Sequence, residues 1–166
     1  MKYPIKKDTH YSIHLPGFTF KNKFQFIRVK FDESCLYQFN SVDDGDVNKL
    51  IGYTFGFNPN PHKNSFRLGW NSQNGKISLF AYAYINRERI VKYLCDIDVN
   101  KWCNVIYYSF NGKMRVSVND EVYYTGIDVN GLPSYGWKLY PHFGGNNKAP
   151  HSMLIEIQQN KFSYYQ

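Results

Sequence analysis

The stretch Trp102-Cys103-Asn104-Val105-Ile106-Tyr107-Tyr108, followed by Asn111-Gly112, Lys113-Met114-Arg115-Val116-Ser117-Val118 and Asn119-Asp120, decides the fold of this chain. Asn-Gly supplies the two positive φ angles of a two-residue hairpin turn, and alternating apolar residues on both flanks read as half-buried strands. Two such hairpins in succession make an antiparallel meander.

The same period-two pattern extends in both directions, and no amphipathic helical spacing is sustained over three turns. Ile27, Val29 and Phe31 alternate with Arg28 and Lys30, and Phe66, Leu68 and Trp70 with Arg67 and Gly69. From Lys76 to Ile85, the aliphatic Ile77, Leu79, Ala81 and Ala83 share one face and Ser78, Phe80, Tyr82 and Tyr84 the other. Further strands are expected near Tyr11–Leu15, Cys35–Phe39, Leu50–Phe57, Glu88–Cys95, Glu121–Thr125, Gly136–Phe143 and Ser152–Gln158. Turn chemistry separates them at Asp43-Asp44-Gly45, Asn58-Pro59-Asn60-Pro61, Asn74-Gly75 and Asn130-Gly131. About a dozen short strands at this spacing indicate an antiparallel β-sandwich or jelly roll. The 166 residues suit one domain spanning 1–166, with residues 1–10 and 58–64 expected to be loose.

Aromatic residues make up 19% of the chain, a composition that suits pleated surfaces with large cross-strand pairs. The net charge of +7 is spread along strands and turns, which argues for solubility and attraction to acidic surfaces. Arg67, Arg87, Arg89 and Lys92 alternate with Tyr82, Tyr84 and Tyr93, a pattern shared with single-strand nucleic-acid binders. A solvated sheet face accounts for it better, so nucleic acid is not the expected partner. Cys35, Cys95 and Cys103 form no CxxC pair and have no histidine at zinc-ligand spacing, so they read as buried free thiols. The N-terminus lacks a signal-peptide core, no apolar run spans a bilayer, and no glycosylation sequon occurs. These features lead us to expect synthesis in the cytoplasm and no membrane insertion.

Asn100-Lys101-Trp102, Val105-Ile106-Tyr107 and Gly112 through Asn119 resemble the signature of concanavalin A-like and laminin-G-like jelly rolls. That resemblance implies an all-β sandwich in which Trp102, sharing the parity of Asn104, Ile106 and Tyr108, is a buried anchor. The segment Tyr140-Pro141-His142-Phe143-Gly144-Gly145-Asn146-Asn147, taken with Leu68-Gly69-Trp70 and Ala81–Asn86, resembles small jelly-roll proteins of tailed bacteriophages of gut anaerobes. This second resemblance implies a virion surface or fibre component, or a glycan-binding domain, with glycans or other virion proteins as partners. The aromatic surface also suits self-association.

Sugars stack on aromatic rings while amides and guanidinium groups bond their rims, so the candidate ligand face is Tyr82, Tyr84, Asn86 and Arg87. Trp70, Trp137, His142, Asn146 and Asn147 are candidates to join it. The competing reading puts Tyr82 and Tyr84 in the core between the sheets. His142 and His151 could pair as acid and base. Asp43, Asp44, Asp46 and Asn48 offer oxygen ligands in a turn, but their spacing is not that of an EF-hand, and neither metal nor cofactor is expected.

Retaining glycosidases need two neighbouring carboxylates, whereas Glu88, Glu121 and Glu156 stand isolated. A lyase would need a Tyr or His base and an Arg or Asn facing the substrate carboxylate, which Tyr140, His142, Asn146 and Arg67 can supply. The Gln-x-His motif that resemblance to such lyases would require is missing. The expectation is therefore a non-enzymatic binding or structural module. A carbohydrate-active enzyme, either hydrolase or lyase, and a basic nucleic-acid binder stand as alternatives.

Overall fold

The computed structural model describes residues 1–12, 14–15, 17–39 and 46–159. Among them run twelve strands: β1 (Lys2–Ile5), β2 (Phe18–Thr19), β3 (Phe24–Phe31), β4 (Asn48–Thr54), β5 (Ser65–Gln73), β6 (Lys76–Ile85), β7 (Glu88–Ile97), β8 (Cys103–Phe110), β9 (Lys113–Val118), β10 (Glu121–Asp128), β11 (Gly136–Leu139) and β12 (Met153–Gln159). A single 3-10 turn at Glu33–Cys35 is capped by the Asp32 side chain. The strands form two six-stranded antiparallel sheets, ordered β1-β12-β3-β8-β9-β10 and β2-β11-β4-β5-β6-β7. The protein is an all-β jelly-roll sandwich.

The hairpins follow their turn residues. Asn111 and Gly112 have φ of 49° and 72°, and Asn74-Gly75, Asn86-Arg87 and Asn119-Asp120 also place two successive residues at positive φ. These twisted turns match the right-handed twist of the strands they join. Between the sheets lies one apolar cluster in which Ile27, Val29 and Phe31 of the first sheet share the core with Phe66, Leu68 and Trp70 of the second. The aliphatic side of β6 is fully buried there, which leaves Tyr82 and Tyr84 on the outer face.

Four expectations change. Trp102 is not the buried anchor, because Cys103, Val105 and Tyr107 fill the core. Val105 pairs with Ile27 and Val118, so the opposite parity faces out. Trp102 is half-buried on the outer face of the first sheet, with Arg28 and Lys30 over its ring at 5.2 and 5.3 Å. The N-terminus is not a loose arm, since β1 pairs with β12 and buries Tyr3 and Ile5. The segment expected as a strand near Tyr11–Leu15 makes only an isolated bridge from Tyr11 to His142, and Ile13 lies outside the described residues. Cys35–Phe39 is not a strand, because the Asp32 cap turns the chain there.

The three cysteines are free, with Cys35 and Cys103 buried. Among the described residues no helix is long and apolar enough to cross a membrane. Asp43, Asp44 and Gly45 lie outside the described residues, and among the described residues no group of three acidic, histidine or cysteine side chains could hold a metal ion.

Candidate functional site

Because β5 sends Phe66, Leu68 and Trp70 inward, Arg67 and Gly69 face out. Arg67 pairs in register with Gly52 on one side and Tyr82 on the other. A Cβ on Gly52 would lie 2.0 Å from the Phe66 carbonyl oxygen and 2.7 Å from Arg67 Cγ. The missing side chain therefore lets the Arg67 stem lie flat across β4, where it is only 5% exposed. Its guanidinium carbon sits 5.5 Å from the centre of the Tyr82 ring.

A bulge between Lys49 and Gly52 turns Leu50 and Ile51 both into the core and brings Lys49 back to the outer face. Lys49 Nζ lies 5.2 Å from the centre of the same Tyr82 ring and donates to the Gly144 carbonyl at 2.9 Å. These two partners are 95 residues apart in sequence and are joined because Lys49 and His142 exchange backbone hydrogen bonds at 2.8 Å. Asn48 Oδ1 accepts from the Gly144 N–H at 2.5 Å, and Asp46 accepts from the Gly145 N–H at 3.2 Å, so the glycine corner is fastened to the start of β4. The His142 ring stacks on His10 at 5.4 Å, and Tyr11 lies 6.5 Å away.

The electrostatics of this cluster are unusual. No ion pair among the described residues includes Arg67 or Lys49, and Arg67 Nε is buried without a hydrogen-bond partner. Burial brings the Arg67 guanidinium down to about 10, which leaves it charged at neutral pH. Lys49 is lowered to about 8 by burial and then by Arg67, with Asp46 opposing and Arg89 adding to the drop. The His142 imidazole falls to about 4 through burial, Lys49, Arg67 and His10, so it is neutral at physiological pH. Burial raises the Tyr82 hydroxyl to about 12, with its hydrogen bond to Tyr84 acting the same way. An incompletely hydrated cation without a counter-charge costs several kcal/mol, which an incoming anion would offset.

Of the residues expected at the site, Tyr82 and His142 meet Arg67 and Lys49. Tyr84, half-exposed, lies two residues along β6 from Tyr82, with its ring 4.8 Å from that of His62. Trp70 has no exposed surface and packs between Phe31, Tyr37 and Phe143, so it belongs to the core and cannot touch a ligand. Asn86 and Arg87 form the β6–β7 turn, where their backbone N–H groups donate to Asn64 Oδ1 and the Lys63 carbonyl and tie that turn to the 58–64 loop. Asn146 and Asn147 sit on the glycine corner, exposed and half-buried, and Trp137 lies on β11. His151 donates to the Ser34 carbonyl rather than joining His142, and Tyr140 packs on His14 and Tyr3. Lys49, His10 and Tyr11 went unrecognised in the sequence. They are brought together by isolated bridges to His142 that leave no local pattern.

No family model and no curated protein sequence matches the chain. Solved structures do. An alginate lyase of polysaccharide lyase family 7 aligns at 13% identity and TM-score 0.47, over 86% of this chain and 64% of its own, so the chain spans less than two thirds of that enzyme. A carbohydrate-binding module from Bacillus subtilis aligns at 10% identity and TM-score 0.43, over 93% of this chain and 82% of its own. A glycosyl hydrolase family protein from Mycobacterium fortuitum aligns at 14% identity and TM-score 0.49, over 95% and 72%. Likeness this distant concerns the fold alone, an antiparallel jelly-roll β-sandwich. It corrects one expectation. Most of these neighbours are enzymes, so the sandwich gives no ground for reading the chain as non-enzymatic, and catalysis stands open. The bacteriophage resemblance gains no support from them.

Proposed function

We propose that the outer face of the second sheet recognises an acidic polysaccharide, with Arg67 and Lys49 holding its carboxylate or sulfate group over the buried Tyr82 ring and the half-exposed Tyr84 contacting the sugar ring. The observation that carries this reading is Arg67, a nearly buried guanidinium with no carboxylate partner among the described residues and an unpartnered Nε. A planar fork of donors suits a carboxylate, and a charge-assisted bond in a partly desolvated cleft is stronger than one in water. Neutral glycans have nothing to place against this pair of cations.

The neutral His142 imidazole beside two cations favours a second reading on the same ligand, cleavage by β-elimination. The cations would stabilise the uronate carboxylate as the carbon next to it loses its proton to a base such as His142. The C=C bond then forms as the glycosidic C–O bond breaks, and the departing oxygen takes up a proton.

Retention on immobilised acidic and neutral polysaccharides tests the first reading. Retention on polygalacturonate, alginate or heparin that is lost in Arg67→Met supports it, and equal retention on neutral glycans contradicts it. Ultraviolet absorbance of an unsaturated product, lost in His142→Asn, tests the second. We also propose the virion as a setting in which such a face would meet a host glycan. Recovery of the native protein with capsid and tail proteins is the check.

A further inference from the structure

The chain carries three Asn-Gly pairs, Asn74-Gly75, Asn111-Gly112 and Asn130-Gly131. Asparagine before glycine is a labile junction in water, because glycine has no Cβ to shield its backbone nitrogen. That nitrogen can close on the asparagine side-chain carbon and expel ammonia once the turn opens far enough to bring the two atoms together. The three pairs share this chemistry and differ in how firmly the fold holds them.

Two of the pairs hold each other. The Gly112 carbonyl accepts from the Val129 N–H at 2.7 Å, and Lys113 Nζ pairs with Asp128 at 2.5 Å, so the β8–β9 turn and the turn after β10 form one unit. The Asn130 side chain lies against Gly112, where an added Cβ would come within 2.9 Å of Asn130 Cβ and 3.2 Å of its Cγ. The Asn130 N–H donates to Asp128 Oδ1 at 2.8 Å, and the Leu132 N–H closes on the Val129 carbonyl at 3.2 Å. Lys23 Nζ fastens the same turn from β2–β3 by donating to the Val129 and Leu132 carbonyls. Swinging either asparagine amide towards the next nitrogen disrupts this set of contacts.

Asn74-Gly75 has no such support. It is the turn between β5 and β6, with φ of 50° and 71°, and both residues are exposed. Among the described residues nothing lies within 4 Å of the place a Gly75 Cβ would take, and Gln73 opposite Lys76 is the last pair of the ladder behind the turn. A hairpin tip with few contacts opens locally at little cost, without unfolding of the core.

We propose that Asn74 is a spontaneous modification site, converted by water to an aspartyl or isoaspartyl residue while Asn111 and Asn130 stay intact. The Gly75 nitrogen gives its proton to hydroxide and forms a bond to Asn74 Cγ. The bond from Cγ to the side-chain nitrogen breaks, and that nitrogen takes a proton from water and leaves as ammonia. Water then opens the five-membered imide at either carbonyl. Both products add a negative charge, and the isoaspartyl form adds a carbon to the main chain, which a two-residue turn cannot hold at its present φ angles.

Ageing the folded protein at mildly alkaline pH, with tryptic mass mapping and fragmentation to place each change, tests the proposal. Residues 68–76, 102–113 and 116–138 fall on separate tryptic peptides, so the three pairs are read independently. Asn74 should convert about tenfold or more faster than Asn111 and Asn130 in the folded protein. In concentrated urea the three rates should converge to within about threefold, because the contacts that separate them are gone. Asn111 or Asn130 converting as fast as Asn74 in the folded protein, or Asn74 remaining intact there, overturns the proposal. A preference for Asn74 that persists undiminished in urea assigns it to neighbouring residues rather than to the fold and overturns it as well.

Discussion

The two outer faces of the sandwich are made of the same kinds of residue and are physically unlike. On the first sheet, Arg28 and Lys30 lie over Trp102, and Arg115 lies over Phe110 at 4.3 Å and Tyr124 at 4.8 Å. Lys30 also pairs with Glu156 at 2.6 Å. These cations keep part of their hydration and have rings or carboxylates beside them, a situation worth about 0.5–1 kcal/mol per contact and complete without a ligand. On the second sheet, Arg67 and Lys49 share one tyrosine ring, are largely desolvated and, among the described residues, have no carboxylate in an ion pair. Basic and aromatic residues on a strand therefore do not mark a site by themselves. A cation withdrawn from water without its counter-charge does.

The parity assignments beneath this comparison are tested by two tryptophans. Trp70→Ala should cost about 3–5 kcal/mol in chemical denaturation because it empties the core between the sheets. Trp102→Ala should cost only about 1 kcal/mol, since it removes a half-buried ring from the first outer face. Equal losses would mean that the faces have been assigned the wrong way round.

The contrast between the arginines is next in size. Arg67→Met should weaken binding of an acidic polysaccharide roughly ten- to a hundredfold, the loss of one charge-assisted bond. Its stability should hold or rise, because a buried unpaired charge leaves with the side chain. Arg115→Met should leave affinity within about twofold and cost about 1–2 kcal/mol of stability, the two ring contacts it loses.

These faces were legible from the sequence to different depths. On β6 one parity is aliphatic and the other aromatic, and either can fill a core, so the sequence leaves the inward face open; the structure places Ile77, Leu79, Ala81 and Ala83 in the core. On β8 both parities carry large apolar side chains, and Tyr107 against Tyr108 gives no preference. The choice was made by cross-strand partners that the sequence does not reveal. Arg67 stood out as a charge between Phe66 and Leu68, but alternation reports only that it faces outward. Its burial depends on Gly52 in another strand, and the cation beside it depends on a bridge between Lys49 and His142. Trp70 was misplaced for the converse reason, since an aromatic in a strand can serve either the core or a ligand.

Smaller effects follow from protonation. Lys49 titrates at about 8 in a setting of Arg67, Arg89 and Asp46, and an anion favours its protonated form. Affinity for an acidic glycan should therefore fall severalfold as pH rises through that value, and Lys49→Met should flatten the profile. His142 has a folded pKa of about 4, depressed below its ordinary 6.5. As pH falls below 6.5 the unfolded chain takes up the proton first, so stability is lost progressively toward pH 4. His142→Asn should lessen the drop in urea midpoint over that window. An unchanged drop would show that the imidazole is not held neutral by burial and its cationic neighbours.

The central claim is that the desolvated cations of the second sheet, and not the ring-covered cations of the first, receive the anion. Proton–nitrogen NMR during titration with a galacturonate oligomer tests it most directly, because the side-chain N–H signals of Arg67, Arg115 and Trp102 report on the two faces in one sample. Arg67 Nε–H and the backbone N–H groups of Lys49, Tyr82 and Gly144 should shift with ligand while Arg115 and the Trp102 indole stay in place. Shifts confined to Arg115 and Trp102, or none at Arg67 at saturation, would contradict it.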